Sequence, residues 1–224
     1  LTSLGEALNQ KVELFVAFYY ARYSDQFKHK NVTYIPICKR KWRINIIKNN
    51  FFRSFVDFED LQIYIDIIKA VKPDIIHIHG SENPFGCILN VTDIPVILSY
   101  QGSCTVINHK YYSGIEKEYG SYKGTKLFCP YTWIFNKSYN QKYRTSTRER
   151  EREIRNLKFC KNIIGRTDWD KRVTRILAPQ SAYYHCDEIL RESFYHYMWE
   201  KSANTKTIVH TTSGSGFFKG FETI

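Results

Sequence analysis

Apolar residues along this chain follow two rhythms: short unbroken runs, and longer stretches where they recur every three or four positions. The short runs predict buried strands at Val12–Phe18 (VELFVAF), Val32–Ile37 (VTYIPI), Asp74–His79 (DIIHIH), Ile94–Tyr100 (IPVILSY), Asn162–Gly165 (NIIG), Ser181–Cys186 (SAYYHC) and Thr207–Thr211 (TIVHT). The longer rhythm predicts helices at Leu1–Leu8, Phe52–Val71, Glu82–Val91, Tyr143–Lys161, Asp170–Leu177 and Asp187–Tyr197. In the second of these, Leu61, Tyr64, Ile65, Ile68 and Val71 form one apolar stripe. Pro73 halts that helix and favours an extended Lys72, and Pro36 suits an edge position in its strand.

Strands alternating with helices predict an α/β fold: a Rossmann-like, mainly parallel sheet with helices on both faces. The run DIIHIH, polar only at its first residue and its two histidines, suits a strand covered on both sides. In such sheets ligands sit outside the carboxyl ends of the strands. That rule selects His79, Gly80, Ser81 and Glu82 after one strand, Gln101 and Gly102 after the next, and Arg166 and Asp168 after a third. Asp168 belongs to a Thr167–Asp170 capping cluster, so it can either touch ligand or cap its helix. Trp169 reads as core. Residues 104–140, rich in Tyr, Gly, Lys and Ser, fit no element, and a loop of that length is usually functional. The late strand TIVHT runs into a small-residue loop and then Lys219, offering an anion backbone N–H groups and one point charge.

Composition narrows the classes. A chain of 224 residues holds one large domain or one and a fraction, and 43% hydrophobic residues supply a core, which excludes a disordered chain. No apolar run approaches ~20 residues, so no membrane-spanning helix is predicted, and no signal peptide is visible. With 33 Lys plus Arg against 22 Asp plus Glu, the net charge of +11 favours anionic partners. Cys38–Arg43 (CKRKWR) is either a solvated loop or a contact with anionic lipid. The Lys142–Lys158 stretch, with Arg148, Arg152 and Arg155 on one face, reads as an exposed, solvated helix, because no nucleic-acid motif frames its charges. Six scattered cysteines without a C-x-x-C pair fit a reduced, cytoplasmic protein. His77 and His79, two apart on a strand, point to one face. The pattern can ligate metal, but no further ligand cluster accompanies it, and no metal is expected.

The order of "KPDIIHIHG", "IPVILSYQG", "NIIGRTDWD" and the late strand–loop–"KGFETI" resembles the family 4 glycosyltransferases of GT-B type, which carry two Rossmann-like domains. The stretch "GRTDWD…YYHCDEILRESFY" is similar to a bacterial subgroup linked to surface polysaccharide synthesis. The resemblance implies that 1–205 is the N-terminal, acceptor-side domain and 206–224 the start of the nucleotide-sugar domain, so that the chain is one half of a two-domain fold. It implies transfer of a sugar, with retention, from a nucleotide-diphosphate sugar to a glycan or lipid-linked acceptor. No cofactor and no essential metal are expected. Lys219 matches the lysine that contacts the donor diphosphate, with Gly214, Gly216 and Gly220 around it. Gln101 stands where many members carry His; it can hydrogen-bond but holds no charge. Thr212 and Ser213 lie where many carry Arg. His79 and its loop, Gln101, Gly102, Arg166 and Asp168 become acceptor-cleft candidates. Glu188 either faces acceptor or is a first-turn helix acid.

The chain opens at Leu1 inside a helical pattern and stops at Ile224. It reads as a fragment, inactive alone, of a cytoplasmic enzyme peripheral to the inner membrane face. Expected partners are the donor, the acceptor and an anionic membrane surface, not nucleic acid. The competing reading is a non-catalytic basic module that binds nucleic acid or anionic membrane.

Overall fold

The computed structural model describes residues 11–20, 25–38, 58–113, 139–190 and 193–198. They fall in two compact units, one made of those up to Pro73 with those from Asp187 on, the other Asp74–Cys186. The helix expected at Leu1–Leu8, the basic residues after Cys38, most of the 104–140 segment and the whole loop of Gly214, Gly216, Lys219 and Gly220 lie outside the described residues.

In the first unit, β1 (Leu14–Tyr20), β2 (Phe27–His29) and β3 (Val32–Cys38) form a sheet in the order β1-β3-β2. β1 runs parallel to β3 from Leu14↔Val32 to Tyr20↔Cys38. β2 turns back antiparallel through Lys30 and Asn31, whose φ angles of 48° and 62° are both positive, as tight two-residue hairpin loops require. The stretch Tyr19–Lys30 therefore holds a strand where its polar sequence predicts only loop. All three residues of β2 are exposed, so no apolar alternation marks it. β3 is central at Val32–Tyr34 but lies beyond the reach of β2 at Pro36, where the missing N–H is tolerated.

The apolar stripe forms α1 (Phe58–Val71), with Tyr64 buried and its hydroxyl bonded to that of Tyr19. Lys72 ends the helix at φ 51°, its N–H donating to Ile68 O at 2.8 Å. This left-handed cap replaces the extended geometry expected before Pro73. The helix expected at Asp187–Tyr197 shrinks to α5 (Ser193–His196). Phe194, Tyr195, Tyr197 and Met198 are all exposed, and short helices without a buried face are marginal. Glu188 lies outside that helix and is exposed, so it is not a first-turn acid.

In the second unit, β4 (Ile76–His79), β5 (Val96–Ser99), β6 (Asn162–Gly165) and β7 (Ala182–His185) form an all-parallel sheet in the order β4-β5-β6-β7. Its crossovers contain a 3-10 helix (Pro84–Asn90), then α2 (Cys104–His109) and α3 (Tyr139–Leu157), then α4 (Asp168–Leu177). Because the chain steps across the sheet in one direction, right-handed connections all fall on one face. Burial agrees. Ile78, Leu98 and Ile163 share a register row at 4%, 1% and 0% exposure, whereas His77 and His79 on the opposite face are exposed. Among the described residues β4 is thus covered on one side, not two. An apolar hollow of about 260 Å3, lined by residues including Ile97, Ile164 and Tyr184, opens on the histidine side.

Two helices differ from expectation. Pro84 opens a 3-10 helix where an α-helix over Glu82–Val91 was predicted. α3 is not a freely solvated helix, since it packs on α2 and on the 3-10 helix. Its inner stripe of Ser146, Glu153, Asn156 and Leu157 is buried. Ser146 and Glu153 are hydrogen-bonded there; Asn108 Nδ2 donates to Ser146 Oγ at 3.3 Å and to Thr147 Oγ1 at 3.1 Å. Burying Leu98, Ile163 and Leu157 contributes about 1.5–3 kcal/mol each, which fixes the sheet that carries the strand ends.

Candidate functional site

Parallel register brings the carboxyl ends of β4, β5 and β6 side by side, and with them most of the residues predicted to share a cleft. His79 pairs in register with Ser99, two residues before Gln101. The Gln101 side-chain amide nitrogen and His79 Nε2 are hydrogen-bonded at 2.8 Å. From the next strand end, Arg166 Nη2 donates to Gln101 O at 3.3 Å. His79, Gln101 and Arg166 therefore form one hydrogen-bonded row across three strands. Such a row, with one permanent cation, can recognise sugar hydroxyls or a phosphate.

Behind His79, His77 Nε2 bonds Ser99 Oγ at 2.6 Å, and the two imidazoles meet edge to face at 6.1 Å. His77 is exposed by area, yet enough protein surrounds its ring that partial desolvation, and then the charge of His79, lower its pKa. The open face explains the solvent contact and the neighbouring strand the desolvation. Among the described residues no group of three or more His, Cys, Asp or Glu could hold a metal ion.

Gly80 turns the chain off β4 at φ 83°, a left-handed conformation suited to glycine, and Glu82 folds its carboxylate back over it. Ser81 is buried, and its hydroxyl lies 3.4 Å from Gly102 O. Arg166 is half-buried, its backbone N–H bound by Asp170 Oδ2 at 3.0 Å. The helix cap is Thr167, in a reciprocal box with Asp170, so α4 starts two residues earlier than predicted and Asp168 is not the cap. Asp168 is an exposed first-turn acid, and Trp169, expected in the core, is 48% exposed.

The residue that the sequence reading missed is Glu153. Only 1% exposed, it projects from α3 into the gap between the β4 and β5 loops. Its Oε1 accepts from Ser81 Oγ at 2.6 Å and Cys104 N at 3.1 Å. Its Oε2 accepts from Thr105 N at 2.7 Å, Thr105 Oγ1 at 2.6 Å and Ser103 Oγ at 3.3 Å. The carboxylate thus caps α2 and anchors the β4 loop at once. Next to it, Arg152 Nη2 donates to Glu82 O at 2.5 Å, so Arg152 turns inward and does not extend the outer basic face. A stripe of Ser146, Glu149, Glu153 and Asn156 at three- and four-residue spacing was the available signal.

Beside this clamp lies a groove of about 450 Å3 lined by residues including Glu82, Cys104, Tyr111 and Glu149. Burial raises the Glu149 pKa; Arg152 opposes the rise and Glu82 adds to it. Burial and then Glu153, Glu149 and Glu82 push the Cys104 thiol up to about 12, so it stays protonated and unreactive. Tyr100, 1% exposed at the end of β5, is raised by burial and then by Glu153, while the Ser103 hydroxyl acts in the opposite sense.

Fold and site together define an α/β protein with a Rossmann-like, all-parallel sheet flanked by helices, its candidate residues gathered at the strand ends. Among the described residues no helix is long and apolar enough to cross a membrane. No protein-family model, curated protein or solved structure matches the chain.

Proposed function

We propose that the chain is the acceptor-side part of a GT-B glycosyltransferase that transfers a sugar, with retention, from a nucleotide-diphosphate sugar to a glycan or lipid-linked acceptor in surface polysaccharide synthesis. One observation carries this reading: His79, Gln101 and Arg166, from three successive parallel strands, meet in a single row where open α/β sheets receive ligands. In it, Arg166 supplies fixed charge, and His79 and Gln101 hydrogen-bond acceptor hydroxyls. Glu153 already fills the start of α2, which favours a hydroxylated acceptor over a diphosphate at the β5 loop. Charge on the leaving diphosphate falls to Lys219 and its glycine loop, by their match to the family motif.

Peripheral docking on anionic lipid belongs to the same proposal. Arg144, Arg150 and Arg155, exposed on α3, and Lys158 just after it support it. Equal binding of the protein to neutral and anionic liposomes would contradict it.

The test is nucleotide-diphosphate release by the full-length protein, across a panel of nucleotide sugars, with glycan and lipid-linked acceptors present. Acceptor-dependent release from one donor is expected. No release from any donor, together with tight and steeply salt-dependent nucleic-acid binding, would replace the enzyme by a basic binding module.

A further inference from the structure

One buried carboxylate bonds both of the loops that carry the candidate site. Gly80–Glu82 and Gln101–Thr105 follow different strands. Their cross-links include the Gln101–His79 bond, the long Ser81–Gly102 contact and the Glu153 carboxylate. That carboxylate takes five hydrogen bonds on its two oxygens, three of them at 2.7 Å or less. The acceptor capacity of a carboxylate is then used up. It belongs to a helix 72 residues along the chain from Ser81 and 49 from Cys104, so it is not a local cap. Its neighbour Arg152 grips the same β4 loop by the Glu82 carbonyl.

We propose that Glu153 is a positioning residue: it locks the β4 and β5 loops in one relation, so that His79 and Gln101 meet the acceptor as a preset pair. This rests on the acceptor-site reading above. A ligand met by prealigned donors loses less freedom on binding than one that must order two loops. Amide substitution breaks the lock selectively. In Glu153→Gln the remaining oxygen serves either the Thr105 side or the Ser81–Cys104 side, and the NH2 group faces donors on the other. Ser81→Ala removes only the link to the β4 loop, and Ser81→Thr keeps a hydroxyl there.

The experiment uses the full-length protein and two readouts. Steady-state kinetics should show the acceptor KM raised roughly tenfold in Glu153→Gln and Ser81→Ala, with donor KM within about twofold. Ser81→Thr should return it toward wild type. Amide hydrogen exchange should speed up at Gly80–Glu82 and Gln101–Thr105 while β4, β5 and β6 keep their protection. A lowered melting temperature with unchanged acceptor KM, or exchange accelerated evenly through the sheet, would make Glu153 merely structural and overturn the proposal. If the wild-type protein transfers no sugar, the glycosyltransferase reading fails on its own. Exchange then still decides the lock, and unaltered loop exchange in Glu153→Gln overturns it.

Discussion

Replacing Gly80 with alanine separates backbone strain from side-chain crowding at the turn that carries the β4 loop. Gly80 has a φ of 83°, and the left-handed region costs an L residue roughly 1–2 kcal/mol. A Cβ built there would also lie 2.2 Å from Glu82 Oε2. That contact is severe on paper, but Glu82 is exposed and its carboxylate is the far end of a flexible chain, so it can swing clear. The strain therefore dominates, and Gly80→Ala should cost about 1–2 kcal/mol. With a urea slope of about 2 kcal/mol per molar, the unfolding midpoint falls by about 0.5–1 M. Gly102, on the neighbouring loop, has nothing within 4 Å of a built Cβ, so Gly102→Ala should stay within about 0.5 kcal/mol. The assay is urea unfolding followed by far-ultraviolet circular dichroism, on both variants and on Gly80→Ala in a Glu82→Ala background. If the cost vanishes in that background, crowding was the cause and the argument from φ is refuted. A neutral Gly80→Ala refutes it more simply.

Three further outcomes follow from the same geometry. Asp170→Ala strips the acceptor from the N–H groups of Arg166 and Thr167, bound at 3.0 and 3.1 Å, and should cost about 1–2 kcal/mol by urea midpoint, as lost caps do. His77, whose pKa lies below its ordinary value through burial and then His79, contributes stability that is present above about pH 6.5 and lost as pH falls through the lowered folded pKa. His77→Gln should accordingly flatten the acid side of a midpoint-against-pH curve, and an unchanged acid limb would contradict it. Burial first, with the nearby carboxylates of Glu153, Glu149 and Glu82 adding at Cys104, lifts Cys104 to about 12 and Cys160 to about 11. Alkylation at pH 8 should label the exposed Cys186 well before either, as peptide mass spectrometry would show.

How much of this was written in the sequence depends on where the signal came from. Strands β4, β5 and β6 were legible because short apolar runs between Pro, Gly and polar clusters have few other uses. Asn162–Gly165 coincides with its strand to the residue. The grouping of His79, Gln101 and Arg166 was legible too, since parallel strands of similar length put successive loops at one end. β2 was not, because an exposed three-residue edge strand has no periodicity to read. The exposure of His77 and His79 was missed because an apolar run does not say how many sides of it are covered. Topology decides that, through the one-directional strand order. Glu153 was hidden for a different reason. A glutamate among arginines on a polar helix looks like a solvated ion-pair partner. Its role depends on Ser81, Ser103 and Thr105, whose approach is set by tertiary structure alone.

In the proposed function, the row of His79, Gln101 and Arg166 receives the acceptor of a sugar transfer. Acceptor-saturation kinetics of the full-length protein carrying Arg166→Ala test it most directly, because Arg166 supplies the row's permanent charge and its side chain lies outside the Glu153 lock. Arg166→Ala should raise the acceptor KM at least roughly tenfold above wild type, with donor KM unchanged, as expected for a lost charge-assisted contact worth about 1.5–3 kcal/mol. An unchanged acceptor KM, or a rise confined to the donor, would contradict it.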